Sequence, residues 1–445
     1  MVCLGRHTLT GLITTAGRQW VDWSADYRLF ERHRLDAARL FAVPRQAVLH
    51  HVKPDDPLVG LMDDTLLRKR GRKVAGTSWW RDPLGPPFRP NFVWGQRFLQ
   101  VSAALPEREG ASRVRAIPID LHPCPAPRKP RKQADAAEWQ RYRELQTTMK
   151  ISRQGVERLH RLRTILDEES GAAARRLIVS VDGGYTNRTV FKDLPPQTPL
   201  IGRIRKDARL YALPLPSAHA GRKPCYGERL PTPEALRQED SIPWQAVSAF
   251  AAGKLHEFHV KTIAPVRWRT AGGDQTLRLL VIRPLAYRLT QGSRLLYRHP
   301  AYLVGTDPDL PLDQFLQYYV WRNEIECNFR DEKTLLGADQ PQVHSAPAAE
   351  TVPAFLAAAY AMLLVALHRS TDVPEPLRPL LPKWRIPQGN ERPSPQQAIS
   401  WLRAQLWGLA LEETSFSGFV DSSPGVTKPP KLENSLNSAI FYASG

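Results

Sequence analysis

The sequence predicts a mixed α/β sheet with helices on its faces, and three observations carry that expectation. Between about residues 57 and 206 the elements read strand, strand, strand, long helix, strand, helix, strand, an order that builds one helix-flanked sheet. Residues 176–182, RLIVSVD, form a short, continuously apolar run that ends in an acid, the pattern of a strand buried on both faces with a functional group at its C-terminal tip. From residue 207 to about 310 the texture changes to Pro, Gly and alternating segments such as HEFHVKTIAPVRWR, which reads as a β-rich insertion.

In chain order, residues 1–56 read as a polar helical region. The segment PLVGLMDDTLLRKRGRK then carries a short apolar run that ends in Asp63 and Asp64 and runs into a basic cluster. A Pro- and aromatic-rich loop is expected at 77–90, with Trp79, Trp80 and Phe88 as candidates for stacking on unpaired bases or, equally, for packing. Strands are expected over 91–104 and 112–121, a basic turn-rich linker over 123–132, one or two helices over 134–170, a short helix over 187–192 and a strand over 198–206. A helix begins near Leu312, two more follow near 352–369 and 395–411, and a Ser-, Pro- and Asn-rich tail closes the chain. The resulting division is 1–56, 57–206, 207–310, 311–345, 346–413 and 414–445.

Composition bounds the partners. The 445 residues hold 62 Lys and Arg against 44 Asp and Glu, a formal charge of +18. Such an excess, rich in Arg, points to nucleic acid or an anionic surface. The four cysteines, Cys3, Cys124, Cys225 and Cys327, are far apart and form no CxxC pair, so neither a zinc ribbon nor a disulfide framework is indicated, and a reducing, cytoplasmic setting is expected. The longest apolar run, 354–367, is shorter than a membrane span and reads as a buried helix. His256 and His259 lie in a strand-like segment that would turn them to opposite faces, and GRKVAGTS lacks the lysine of a phosphate loop, so neither a histidine metal site nor a nucleotide is expected.

Three acids remain where a fold could expose them: the Asp63–Asp64 doublet, Asp182 before two glycines, and Glu326 on the late helix. Gathered, they would form a hard oxygen-lined cage suited to Mg²⁺ or Mn²⁺, and two such ions can serve phosphodiester chemistry. The helix YYVWRNEIECNFRDEK adds a stripe. With Glu326 at zero, Tyr319, Arg322 and Lys333 fall at about +20°, −40° and −20°, while Tyr318, Ile325, Phe329 and Leu336 form a bordering apolar seam at about −60° to −100°. Glu324 and Glu332 face away from the stripe.

These segments together resemble the DDE transposases of bacterial insertion sequences. MDDTLLRKRGRK is similar to the family's first-aspartate segment and VDGGYTNRTVFKDLP to its second. Tyr319-x2-Arg322-x3-Glu326-x6-Lys333 matches the Tyr-Arg-Glu-Lys signature of the cut-and-paste branch that passes through a hairpin at the element end.

The resemblance implies a ribonuclease-H-like mixed sheet flanked by helices, with the β-rich insertion before the last catalytic helix and helical N- and C-terminal regions. It implies a catalytic and metal-binding triad of Asp64, Asp182 and Glu326. Asp64 is preferred to Asp63 as the match to the family's Asp-Thr step, although strand alternation lets only one of the two face the metal. Tyr319, Arg322 and Lys333 are expected on DNA phosphates, and the flanking basic residues Arg68, Lys69, Arg70, Arg203, Arg205 and Lys206 are further DNA candidates. The implied cofactor is two Mg²⁺ or Mn²⁺ ions. The implied partners are the element ends and target DNA, with a homodimer in the active complex and neither membrane nor nucleotide.

Overall fold

The computed structural model describes residues 1–412 except 33, 83–84, 87, 170–174, 216–222, 289–291 and 370–391. The tail expected over 414–445 lies outside the described residues. Four helices lead in: α1 (Leu9–Thr15), α2 (Ser24–Glu31), α3 (Ala37–Leu40) and α4 (Ala42–His51). Strands β1 (Leu58–Arg68), β2 (Ser78–Arg81), β3 (Phe92–Pro106) and β4 (Val114–Pro123) follow, then helices α5 (Ala136–Thr148) and α6 (Ile151–Glu168). Next come β5 (Leu177–Val181), α7 (Arg188–Lys192), β6 (Leu200–Arg203), β7 (Leu210–Tyr211) and α8 (Pro233–Gln238). The β-rich stretch continues with β8 (Gln245–Ala251), β9 (Lys254–Trp268), β10 (Leu277–Ile282), β11 (Ala286–Tyr287), β12 (Leu296–Tyr297) and β13 (Ala301–Gly305). The chain closes with α9 (Leu312–Trp321), α10 (Asn323–Thr334), α11 (Ala346–Arg369) and α12 (Pro395–Glu412).

Five strands form the heart of the fold in the order β4-β3-β1-β5-β6, with β4, β3 and β1 antiparallel in turn and β1, β5 and β6 parallel. This order, with helices on both faces, is the ribonuclease-H-like arrangement. The central run LIVSV of β5 is buried throughout, as a strand covered on both sides must be. One face packs on α6 and α7 through Leu58, Met62, Val101, Val179, Val181, Leu159 and Phe191. The other packs on α9 and α10 through Val59, Leu61, Ile178, Ile201, Phe315, Ile325 and Phe329.

The β-rich stretch is not set apart from this sheet. Strand β13 pairs antiparallel with β6, and β10, β9, β7 and β8 extend the same sheet, which has eleven strands among the described residues. Two other features differ from expectation. The 77–90 stretch contains β2, which pairs with the N-terminal part of β3. Strand β1 does not end at the acid doublet but runs on to Arg68, because Asp63 and Asp64 still pair with Gln100 and Leu99 of β3. Among the described residues α11 alone is long and apolar enough to cross a membrane, and 72% of its most apolar window is buried inside the fold.

Candidate active site

The register of β1 decides where its two aspartates go. The parallel ladder with β5 ends at Met62↔Val181, and directly opposed residues share a face. Asp63 and Asp182 therefore follow as the next step on both strands, on the face covered by α9 and α10. The neighbouring rung confirms the side: Ser180, opposite Leu61, donates its hydroxyl to the Tyr318 carbonyl of α9 at 2.9 Å. Burial pushes the Asp63 carboxyl up to about 7, with Arg322 opposing and the Asp182 charge adding to the rise. Asp182 leaves the strand into Gly183–Gly184, and its Oδ1 accepts the Gly184 amide at 2.8 Å.

Asp64 points the other way. Its Oδ2 accepts from Arg97 Nε at 2.8 Å and its Oδ1 from the Tyr185 hydroxyl at 3.0 Å. The structure thus sets Asp63 beside Asp182 and places Asp64, preferred on sequence grounds, on the opposite face. A slip of one residue between the two positions is invisible to pattern matching, but the ladder fixes it.

The late helix is interrupted at Arg322, which caps both α9 and α10. Its φ and ψ of −52° and −31° remain helical, and Ile325 N bonds to Arg322 O across the junction, so the stripe survives the break. The Arg322 guanidinium bridges two carboxylates, donating to Asp63 Oδ2 at 2.8 Å and to Glu326 Oε1 at 3.0 Å. Burial draws its pKa down, but Asp63, Tyr319 and Glu326 outweigh this and leave it raised. Burial raises the Tyr319 phenol, against the charges of Arg322 and Arg203. Burial lowers the Lys333 ammonium, and Arg68 beside it adds to the effect.

The cage of three acids is not assembled in this arrangement. Among the described residues no three His, Cys, Asp or Glu side chains stand close enough to hold a metal ion. Asp63 and Asp182 offer hard oxygen donors that suit Mg²⁺ or Mn²⁺. Glu326 reaches them only through Arg322, and its side chain is half exposed.

The basic candidates divide. Arg203, at the end of β6, is exposed and close enough to influence Tyr319. Lys206 and Arg70 are exposed, Arg205 pairs with Asp207, and Arg68 is 60% exposed while also reaching Asp82. Lys69 is a correction. Its ammonium is buried against the carbonyls of Ala338, Asp339 and Pro341, so it anchors the segment after α10 and cannot reach a phosphate. Trp80 is also committed to packing, with its indole N–H on the Gly95 carbonyl and Arg97 over its ring.

The ribonuclease-H-like sheet with acids beside one another on its central strands defines the class as that of metal-dependent nucleases and transposases. The chain belongs to the DDE superfamily endonuclease family, whose model matches residues 1–275. That span holds both aspartate segments, and Glu326 lies beyond it. A comparison with curated proteins gives no match.

Proposed function

We propose that the protein is a DNA transposase that excises a mobile element and joins it to new DNA, passing through a hairpin at the element end. The observation that supports this best is the placement of Asp63 and Asp182 side by side one step past the last rung of β1 and β5, with Glu326 linked to Asp63 by Arg322. Membership in an endonuclease family makes DNA the substrate, and the Tyr319, Arg322, Glu326, Lys333 spacing favours the cut-and-paste route over simple nuclease action.

In this reading Asp63, in place of Asp64, is the first acid, with Asp182 the second and Glu326 the third. A divalent cation supplies charge neutralisation for the scissile phosphate and makes hydroxyl attack feasible at neutral pH. Asp63 and Asp182 would hold that cation. Arg322 satisfies Asp63 and Glu326 in the absence of DNA, and an incoming phosphate competes for the same planar guanidinium. Its transfer to the phosphate leaves Glu326 free to turn toward the two aspartates. Tyr319, Lys333 and Arg203 grip neighbouring phosphates and hold the strand in register. Asp64 works from the far face, where its bonds to Tyr185 and Arg97 hold the loop that carries Asp182.

The test is cleavage and joining of labelled element-end DNA with Mg²⁺. Asp63→Asn and Glu326→Gln are expected to keep end binding and lose cleavage by about a thousandfold or more, whereas Asp64→Asn loses far less. Wild-type cleavage by Asp63→Asn would remove that residue from the triad. Cleaved but never joined products would favour a nuclease without strand transfer.

A further inference from the structure

The hairpin of β2 and β3 presents a cluster of large aromatic side chains on the face that carries Asp63. The rungs Asp63↔Gln100, Leu67↔Gln96, Trp79↔Trp94 and Arg81↔Phe92 put Trp79, Arg81, Phe92 and Trp94 on the same side of the sheet as Asp63. Trp79 is 54% exposed and Phe92 58% exposed. The Trp94 ring meets Trp79 edge-on at 5.4 Å, and its own N–H is tied to the Gly71 carbonyl, so Trp79 is braced from behind with its remaining surface open. Two large aromatics at a sheet edge gain nothing from water, and edges are ordinarily guarded by charge.

The hairpin is also physically continuous with the acids. Helix α10 carries both Glu326 and Lys333, and Lys333 lies within the influence of Arg68. The segment after it docks on the loop leaving β1, through Lys69 on three carbonyls and through Gln342 Oε1, which accepts the amides of Arg70 and Gly71. Gly71 in turn receives the Trp94 indole.

We propose that this hairpin is a nucleic-acid subsite that stacks unpaired bases of the DNA strand on Trp79 and Phe92, with the exposed Arg70 of the adjoining loop on a neighbouring phosphate. It rests on the reading of the acids as a DNA-cutting site and names which form of DNA the surface beside them takes. A duplex keeps its base faces covered and offers only phosphates and groove edges, which exposed aromatic rings do not bind well. An unpaired base has a free π-face, and stacking it on an aromatic side chain is favourable whatever the base.

The test uses the full chain in EDTA, so that nothing is cut, with 2-aminopurine placed either in a single-stranded overhang or in the same sequence fully paired. The overhang is expected to bind with its fluorescence quenched. The Trp79→Ala/Phe92→Ala double variant should weaken overhang binding about tenfold or more and leave duplex binding within about twofold. Phe92→Ala alone should fall between, and Trp79→Phe should retain most of the preference. Equal loss on both DNAs, or no loss on either, overturns the proposal, provided thermal melting shows the variants folded. Glu326→Gln that cleaves normally while the overhang preference persists would instead sink the active-site reading and spare this one.

Discussion

Glu332 faces away from the stripe of α10 and is 4% exposed. Burial pushes its carboxyl up to about 8, with Gln100 alongside pulling the other way, and its Oε1 has no hydrogen-bond partner. Because the folded pKa lies above the ordinary carboxyl value, the neutral acid's contribution to stability is present below about pH 4.5 and is lost as pH rises through about 8. Glu332→Gln should therefore raise the melting temperature more at pH 8.5 than at pH 5, and an identical difference at both pH values would show that Glu332 titrates normally. A second residue prediction concerns the far face of β1. Tyr185→Phe removes the phenol from Asp64 but leaves Arg97, and should cost about 1 kcal/mol in urea unfolding. The MDDT doublet also marks how far sequence reaches at this scale. Alternation shows that one aspartate faces the site and the other does not; only the rung Met62↔Val181 says which. Lys69 was illegible for a related reason, since the carbonyls that bury it lie some 270 residues away.

At the scale of elements, the buried central strand, the long helices before it and the apolar seam of the late helix were all legible, because each is written in local periodicity. Ile325, Phe329, Tyr318 and Leu336 are buried as that seam requires. The break at Arg322 was not legible, since no Pro or Gly marks it. Strand β2 was hidden for the opposite reason, as the surrounding prolines read as loop. The loop carrying Asp182 depends on Gly202 in the neighbouring strand. A Cβ there would stand 2.3 Å from Thr186 Cγ2 and 2.7 Å from Val181 Cγ2, closer than packing allows. Gly202→Ala should destabilise the fold by about 1–3 kcal/mol and displace the Asp182 loop, lowering cleavage more than DNA binding. A variant that unfolds at the wild-type urea concentration would show that the loop has slack.

At the scale of the molecule, the +18 charge predicts a binding constant for DNA that falls linearly and steeply with the logarithm of salt concentration, because each phosphate contact releases a counterion. A flat response in a salt titration would separate that charge from DNA binding. The sequence conveyed the order of the core elements along the chain but not the extent of the sheet, since antiparallel partners such as β6 and β13 lie about a hundred residues apart and leave no local trace. That extent has a practical outcome for fragments. A chain stopped at residue 206 would strip β13 from β6 and leave a strand that is apolar and buried up to its terminal Arg203 with a row of open amides and carbonyls. One stopped at 275 would keep β9 but lose both β10 and β13, the strands that join β9 to β6. Each truncation creates a bare apolar margin of the kind that recruits another copy edge to edge, so such pieces should precipitate, or pair with themselves, where the whole chain stays dispersed.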